Sequence, residues 1–219
     1  MPHPVAVRPV GPAASAVRAR LSRMVLLPDA ILVAILSIFL FLVLCGALVL
    51  IVVSLRRPTT VPLVIAGALV TFGLVVVAIS SVKIPEIMGL MLALLGIAVA
   101  VLGGNPVTRR VLDAATGGRV RETEDGGILL AVPAAEDGET EVRTLMRGGT
   151  VIGYLERVAV VISIIAGFPE AIAVVVAVKG IGRFSELATA EARERFIVGT
   201  LASLLWAAAV GGLVRLAIF

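Results

Sequence analysis

The residues that could do chemistry in this chain sit where charge is least expected. Residues 154–184, YLERVAVVISIIAGFPEAIAVVVAVKGIGRF, are apolar enough for lipid, yet carry Glu156 and Arg157 near one end and Lys179 and Arg183 near the other. A lone charge in a bilayer costs at least about 2.5–3.5 kcal/mol, so such residues pair or line a wet cavity. A carboxylate facing an ammonium there serves one of three purposes: it fixes helix register, relays a proton or ion, or docks a partner. Ser163, Thr200 and Ser203 are the hydroxyls that could join such a cluster.

Other chemistry has little to work with. The single histidine, His3, has no ligand partners nearby, and the single cysteine, Cys45, lies inside an apolar run and has no second thiol to pair with. No His-Glu-x-x-His, Gly-x-Ser-x-Gly or Gly-x-x-x-x-Gly-Lys-Ser/Thr motif is present. Carboxylates such as Asp29 and Glu86 fall at the ends of apolar runs, where solvation explains them. The expectation is no catalytic residue, no metal site and no cofactor.

The elements that must position these residues follow from composition. Of 219 residues, 59% are hydrophobic and 16% charged, with a mean hydropathy of +1.12. A soluble domain is about 45–50% apolar, and here the excess lies in runs long enough to span a bilayer. The formal charge of +4 comes from basic residues at the edges of those runs, the pattern of topology signals and headgroup contacts rather than of a nucleic-acid face. The reading is an all-α membrane protein, a polytopic bundle of about six transmembrane helices.

Residues 1–24 read as a disordered basic arm, and 25–103 as a three-helix membrane region with spans at 29–55, 61–82 and 87–103. The first span is too long for a signal h-region and is expected to stay uncleaved. Residues 104–150 read as extramembrane. Gly103, Gly104 and Asn105 end the third span, and Asn105 caps a short interfacial helix that has Pro106 at its first position and stops at Gly117 and Gly118. In the polar stretch that follows, Asp125-Gly126 and Asp137-Gly138 separate short runs at 119–123, 128–132 and 140–145; this fits either a three-stranded β-meander or an acidic flexible loop.

Residues 151–219 form the last unit. As one helix, 151–184 would be about 51 Å long against a hydrocarbon core of about 30 Å. Gly167, Phe168 and Pro169 at its middle combine a helix stop with a fresh start, so the segment is expected to be a hairpin turning at Phe168. Glu156 lies twelve residues before that turn and Lys179 eleven after it, which brings them to one depth. Arg157 and Arg183 are expected nearer the interface, where they can snorkel. Gly153, Glu156, Val160, Ser163 and Gly167 make one small or polar stripe; Gly199, Ser203, Ala207 and Gly211 make another on the final span at 196–218. Residues 185–196 read as a separate interfacial helix capped by Ser185. The three C-terminal helices are expected to enclose Glu156, Lys179, Ser163, Thr200 and Ser203.

Three blocks, GTVIGYLERVAVV, GFPEAIAVVVAVKGIGRF and FIVGTLASLL, resemble the C-terminal part of a widespread set of uncharacterised bacterial multi-pass membrane proteins, a domain of unknown function. The resemblance covers roughly residues 148–212. It falls on Gly153, Glu156, Arg157, Lys179, Arg183, Phe184, Gly199, Thr200 and Ser203. It implies a bacterial cell membrane location and no known activity. Members often carry His and Asp in an N-terminal membrane half, where this chain has no His.

With six spans, thirteen of the nineteen Lys and Arg fall on the side of the 104–150 segment, so the positive-inside rule places that side in the cytoplasm and the N-terminus outside. Three function classes follow: a non-enzymatic scaffold or partner subunit, a small transporter or channel using the Glu156–Lys179 pair, and, with least support, an enzyme. The expected partners are the lipid bilayer and a membrane protein or a second copy of the chain, with no nucleic acid.

Overall fold

The computed structural model describes residues 12–56, 59–116, 149–184 and 189–219. They form six helices and no strand: α1 (Pro12–Arg56), α2 (Thr60–Ile79), α3 (Glu86–Thr116), α4 (Gly149–Ile165), α5 (Ala171–Gly182) and α6 (Ala190–Ile218). Four of these, α1, α2, α3 and α6, are long and apolar enough to cross a membrane. The protein is therefore an all-α helical bundle with the architecture of an integral membrane protein. Its outer surface carries large apolar side chains such as Ile35, Leu42, Val64, Phe72, Leu90 and Leu94. That surface is what a helix bundle presents to hydrocarbon, where the backbone must bond within itself.

At the centre is α6, which packs most extensively on α3 and also on α4 and α2. The close α3–α6 contact has a specific cause. Gly89, Gly96 and Gly103 recur every seven residues, so all three fall on one face. A Cβ at these positions would lie 2.7 Å from Ile218, 2.9 Å from Val214 and 2.7 Å from Trp206 respectively. The Trp206 indole lies over Gly103 and donates to the Val99 carbonyl at 3.2 Å. Without a hydrophobic drive between helices in lipid, such backbone proximity is a main source of attraction. On the other side, α1 and α2 pair through an edge-on contact of Phe39 and Phe72, with ring centroids 5.8 Å apart.

The α2–α3 connection is strapped to the end of α6. The Ile84 amide donates to the Ala217 carbonyl at 2.9 Å, and Lys83 Nζ donates to the Leu216 carbonyl at 2.8 Å. These are the last carbonyls of α6, which the helix itself cannot satisfy, and a cation suits the negative end of its dipole.

Several sequence expectations are corrected here. Gly103-Gly104-Asn105-Pro106 does not end a span: α3 runs unbroken to Thr116 with Pro106 inside it. The glycines serve close packing rather than a stop, and the proline removes one backbone hydrogen bond from a helix held on two sides by α4 and α6. Residues 106–116 are thus the end of α3, not a separate interfacial helix. In the same way 190–196, expected as part of another interfacial helix, are the first turns of α6. Its N-cap is Thr189, whose hydroxyl accepts from the Ala192 amide at 3.1 Å, rather than Ser185. Residues 12–24, expected as an arm, are helical from Pro12, a residue suited to a first helical position and followed by the strong helix former Ala. The C-terminal helices do not form a unit of their own, because α6 is shared with α3. Residues 1–11, the expected β-meander or loop at 119–145, the Gly117–Gly118 stop and Ser185 lie outside the described residues.

Candidate functional site

The hairpin expected from Gly167 and Pro169 is present. α4 ends at Ile165, the chain turns through residues 166–170, and α5 returns antiparallel. Gly167 adopts φ +77°, the left-handed conformation a helix stop requires and L side chains avoid. The turn packs on Arg215 of α6, whose guanidinium donates to the Ile164 and Ile165 carbonyls at 3.1 Å each and stacks over Phe219. Arg215 therefore caps the end of α4. The hairpin tip lies at the same end of the bundle as the α2–α3 connection.

Gly167→Ala is expected to cost about 2 kcal/mol, from the left-handed backbone and from displacement of Arg215, whose Nη1 would lie 2.7 Å from the new Cβ. Reversible unfolding in mixed micelles checks this, with Gly180→Ala as reference, because nothing lies within 4 Å of a Cβ at 180.

Across the hairpin, Lys179 Nζ donates to Glu156 Oε2 at 2.6 Å. Glu156 is buried, while Lys179 is partly exposed and lies beside the Phe196 ring. The expected equal depth of the two charges is realised as a direct ion pair. α5 has no buried residue and packs chiefly on α4, with Lys179 also over Phe196 of α6, so this pair is a polar tie holding α5 to the bundle. At 12 residues α5 is about 18 Å long, short of a hydrocarbon core of about 30 Å. Of the hairpin's two helices, neither is of spanning length by itself, and the expectation of about six transmembrane helices becomes four long helices plus a shorter hairpin.

Arg157 overturns its expectation. In place of snorkelling at the interface, it is among the most buried side chains, 2% exposed. Its Nη1 donates to Ser203 Oγ at 2.9 Å and its Nη2 to Asn105 Oδ1 at 2.8 Å, and its guanidinium lies over the Tyr154 ring. Space for it is made by Gly104 on α3, where any Cβ would overlap the Arg157 side chain, and by Gly153 one turn back on α4. The reason for the miss is local: with α3 ended at Gly103, Arg157 had no partner and had to reach water. Asn105, read as a helix cap, is instead its hydrogen-bond acceptor inside a continuous helix.

The remaining residues divide between two interfaces. Gly199 packs on Thr108 and Leu112 of α3, whereas Gly211 packs on Val161 and Ile164 of α4, with Ala207 fully buried between them. Thr200 is buried, and Ser163 is half-buried with its hydroxyl donating back to the Ala159 carbonyl at 2.6 Å, so it does not join the charged cluster. Arg183 lies just past α5, half-buried and outside the Glu156–Lys179 contact.

The chain matches no protein-family model, no curated protein and no solved structure. What the site can do thus rests on its geometry. It is a layer shared by α3, α4, α5 and α6 in which one carboxylate, one guanidinium and one ammonium are held away from lipid by neutral hydrogen-bonding side chains.

Two of the residues that build this layer, Gly104 and Asn105, were read as the end of a span and the cap of the next helix, and Trp206 and Arg215 were not singled out. For Arg215 a signal existed: a lone cation three residues from the end of an apolar helix, where the helix dipole favours it.

Proposed function

We propose that this chain is a non-enzymatic scaffold or partner subunit of the bacterial cell (inner) membrane, presenting α5 to a membrane-protein partner or a second copy of itself. The observation that carries the reading is α5: an apolar helix without a buried residue, tied to α4 through the Glu156–Lys179 pair. A helix apolar all round belongs in lipid or against another protein. The resemblance of residues 148–212 to bacterial multi-pass proteins supports the location. Orientation follows from charge. Among the described residues, the end near the 117–148 segment carries Arg56, Arg109, Arg110, Arg183, Arg193 and Arg195 against Asp113, Glu191 and Glu194, while the other end carries Arg18, Arg20, Arg23, Lys83 and Arg215 against Asp29, Glu86 and Glu170, so the first is the more basic end by one charge. The positive-inside rule puts the basic end in the cytoplasm.

The test places a photo-crosslinking residue at Val174, Val178 or Ile181 of α5, and at Val64 of α2 as a lipid-facing reference, in bacterial membranes. The expected result is a discrete protein adduct, hetero- or homomeric, from α5 alone. Lipid adducts from all four positions would sink the scaffold reading.

One observation favours a second reading, a small transporter or channel: Glu156 Oε1 is buried and finds no hydrogen-bond partner among the described residues, so the carboxylate has capacity left for a proton or ion. That reading predicts ion or proton flux in proteoliposomes that disappears in Glu156→Gln, and equal flux in the variant would remove it.

A further inference from the structure

Three buried polar atoms in the layer around Arg157 have no hydrogen-bond partner among the described residues: Thr108 Oγ1 on α3, and Glu156 Oε1 and Arg157 Nε on α4. Two of them meet one face of α3, and the third is carried by the neighbouring residue on α4. Arg157 Nε lies against Gly104, where it would be 2.5 Å from a Cβ, and Thr108 is four residues beyond Gly104, one turn or about 6 Å along the same face of α3. Thr108 turns its methyl toward Gly199 of α6, with Cγ2 3.4 Å from a Cβ built there. Glu156 directly precedes Arg157 on α4, and both are buried. Buried polar groups are nearly always bonded to protein or to ordered water, and charged ones are the most costly to leave unpaired.

The donor and acceptor types select what can satisfy them. Arg157 Nε is a donor only, Glu156 Oε1 an acceptor only, and the Thr108 hydroxyl is both. An anion would suit Arg157 and Thr108 but face the Glu156 carboxylate. A metal cation would suit Glu156 and Thr108 but face Arg157 and Lys179, in a cluster where two cations already outnumber one anion. Water donates and accepts, and a buried water takes two to four such partners.

We propose that ordered water occupies this α3–α4–α6 layer and enters it past Thr108 from the basic end of the bundle. Thr108 is the outermost of the three groups, since α3 continues from it to Arg109 and Arg110 at that end. The hydrated layer gives Glu156 a two-sided environment, with one oxygen on Lys179 and the other on water connected to one face of the membrane. The inference rests on neither reading of function, because a scaffold can hold structural water as well as a transporter can.

The test is water-edited solid-state NMR on the full-length chain in proteoliposomes, labelled with nitrogen-15 in Arg and Trp. The Arg157 Nε resonance is identified by its loss in Arg157→Lys. The reference is the indole N–H of Trp206, the chain's single tryptophan, buried and bonded to the Val99 carbonyl where α6 packs on α3. The expected result is that Arg157 Nε acquires water magnetisation several-fold faster than Trp206, that Thr108→Val slows it several-fold, and that Thr108→Ser restores it. A build-up as slow as that of Trp206 would overturn the hydrated layer, and a fast build-up indifferent to Thr108→Val would overturn the route. A resonance position that follows chloride concentration would put an anion there and overturn the choice of water.

Discussion

Replacing Gly104 by alanine is expected to destabilise the protein by about 3 kcal/mol, the upper part of the range for overpacking. The new Cβ overlaps Arg157 at its Cδ, near the root of the guanidinium, and also lies 2.5 Å from Nε and Nη1. A flexible side chain can usually move away from such a clash. Arg157 cannot do so cheaply, because Ser203 and Asn105 hold its two Nη atoms and it is only 2% exposed. Moving it breaks two charge-assisted hydrogen bonds in a medium that offers no replacement. Gly67→Ala is the matched reference, since nothing lies within 4 Å of a Cβ there and its effect is expected to stay within about 1 kcal/mol. Reversible unfolding of both variants in mixed micelles gives the comparison. Equal effects would mean that Arg157 does not occupy the space beside Gly104.

The second large effect is the coupling between Glu156 and Lys179. Glu156→Leu leaves an ammonium unpaired, and Lys179→Leu leaves a buried carboxylate unpaired; each is expected to cost about 3 kcal/mol, the scale for breaking a buried ion pair on one side. The double substitution removes both charges and their desolvation together, and replaces them with side chains that lipid and neighbouring helices accept. It is expected to cost less than about 1 kcal/mol, giving a coupling of several kcal/mol in a double-mutant cycle. The Glu156 variant should be the milder of the singles, since Lys179 is the more exposed partner and can extend toward water. Additive effects, with the double variant as unstable as the sum, would show that the two side chains do not meet.

The hairpin was legible because its signals are local. Gly167 and Pro169 mark a stop and a restart within three residues, and counting from that turn puts Glu156 and Lys179 at one depth without knowledge of any other helix. The continuity of α3 was not legible for the opposite reason. Gly103, Gly104, Asn105 and Pro106 read as a boundary in isolation, and only the presence of Trp206 and Arg157 on two other helices gives them a packing role. The seven-residue recurrence of Gly89, Gly96 and Gly103 is in the sequence, but the stripes read there were those on α4 and α6, which pointed those two helices at each other. The face that α6 prefers is set by α3 as much as by α4.

The burial of Arg157 follows from the same error. A cation near the start of an apolar helix normally reaches water, and its alternative becomes visible only when Asn105 and Ser203 are known to flank it. Likewise α6 starts from Thr189, whose hydroxyl caps it, where the sequence reading had kept 185–196 apart from the final span.

The central claim is that α4 and α5 form a hairpin whose tip lies at the α2–α3 end of the bundle, opposite the start of α6. The most direct measurement is sided labelling of single cysteines at Phe168, Lys83 and Arg193, all exposed, in a Cys45→Ala background with a membrane-impermeant thiol reagent. The expected result is that Phe168→Cys and Lys83→Cys react from one face of the membrane and Arg193→Cys from the other. Reaction of Phe168→Cys and Arg193→Cys from the same face would contradict the hairpin's placement, and with it the arrangement that brings Glu156 to Lys179 and Arg157 to Asn105.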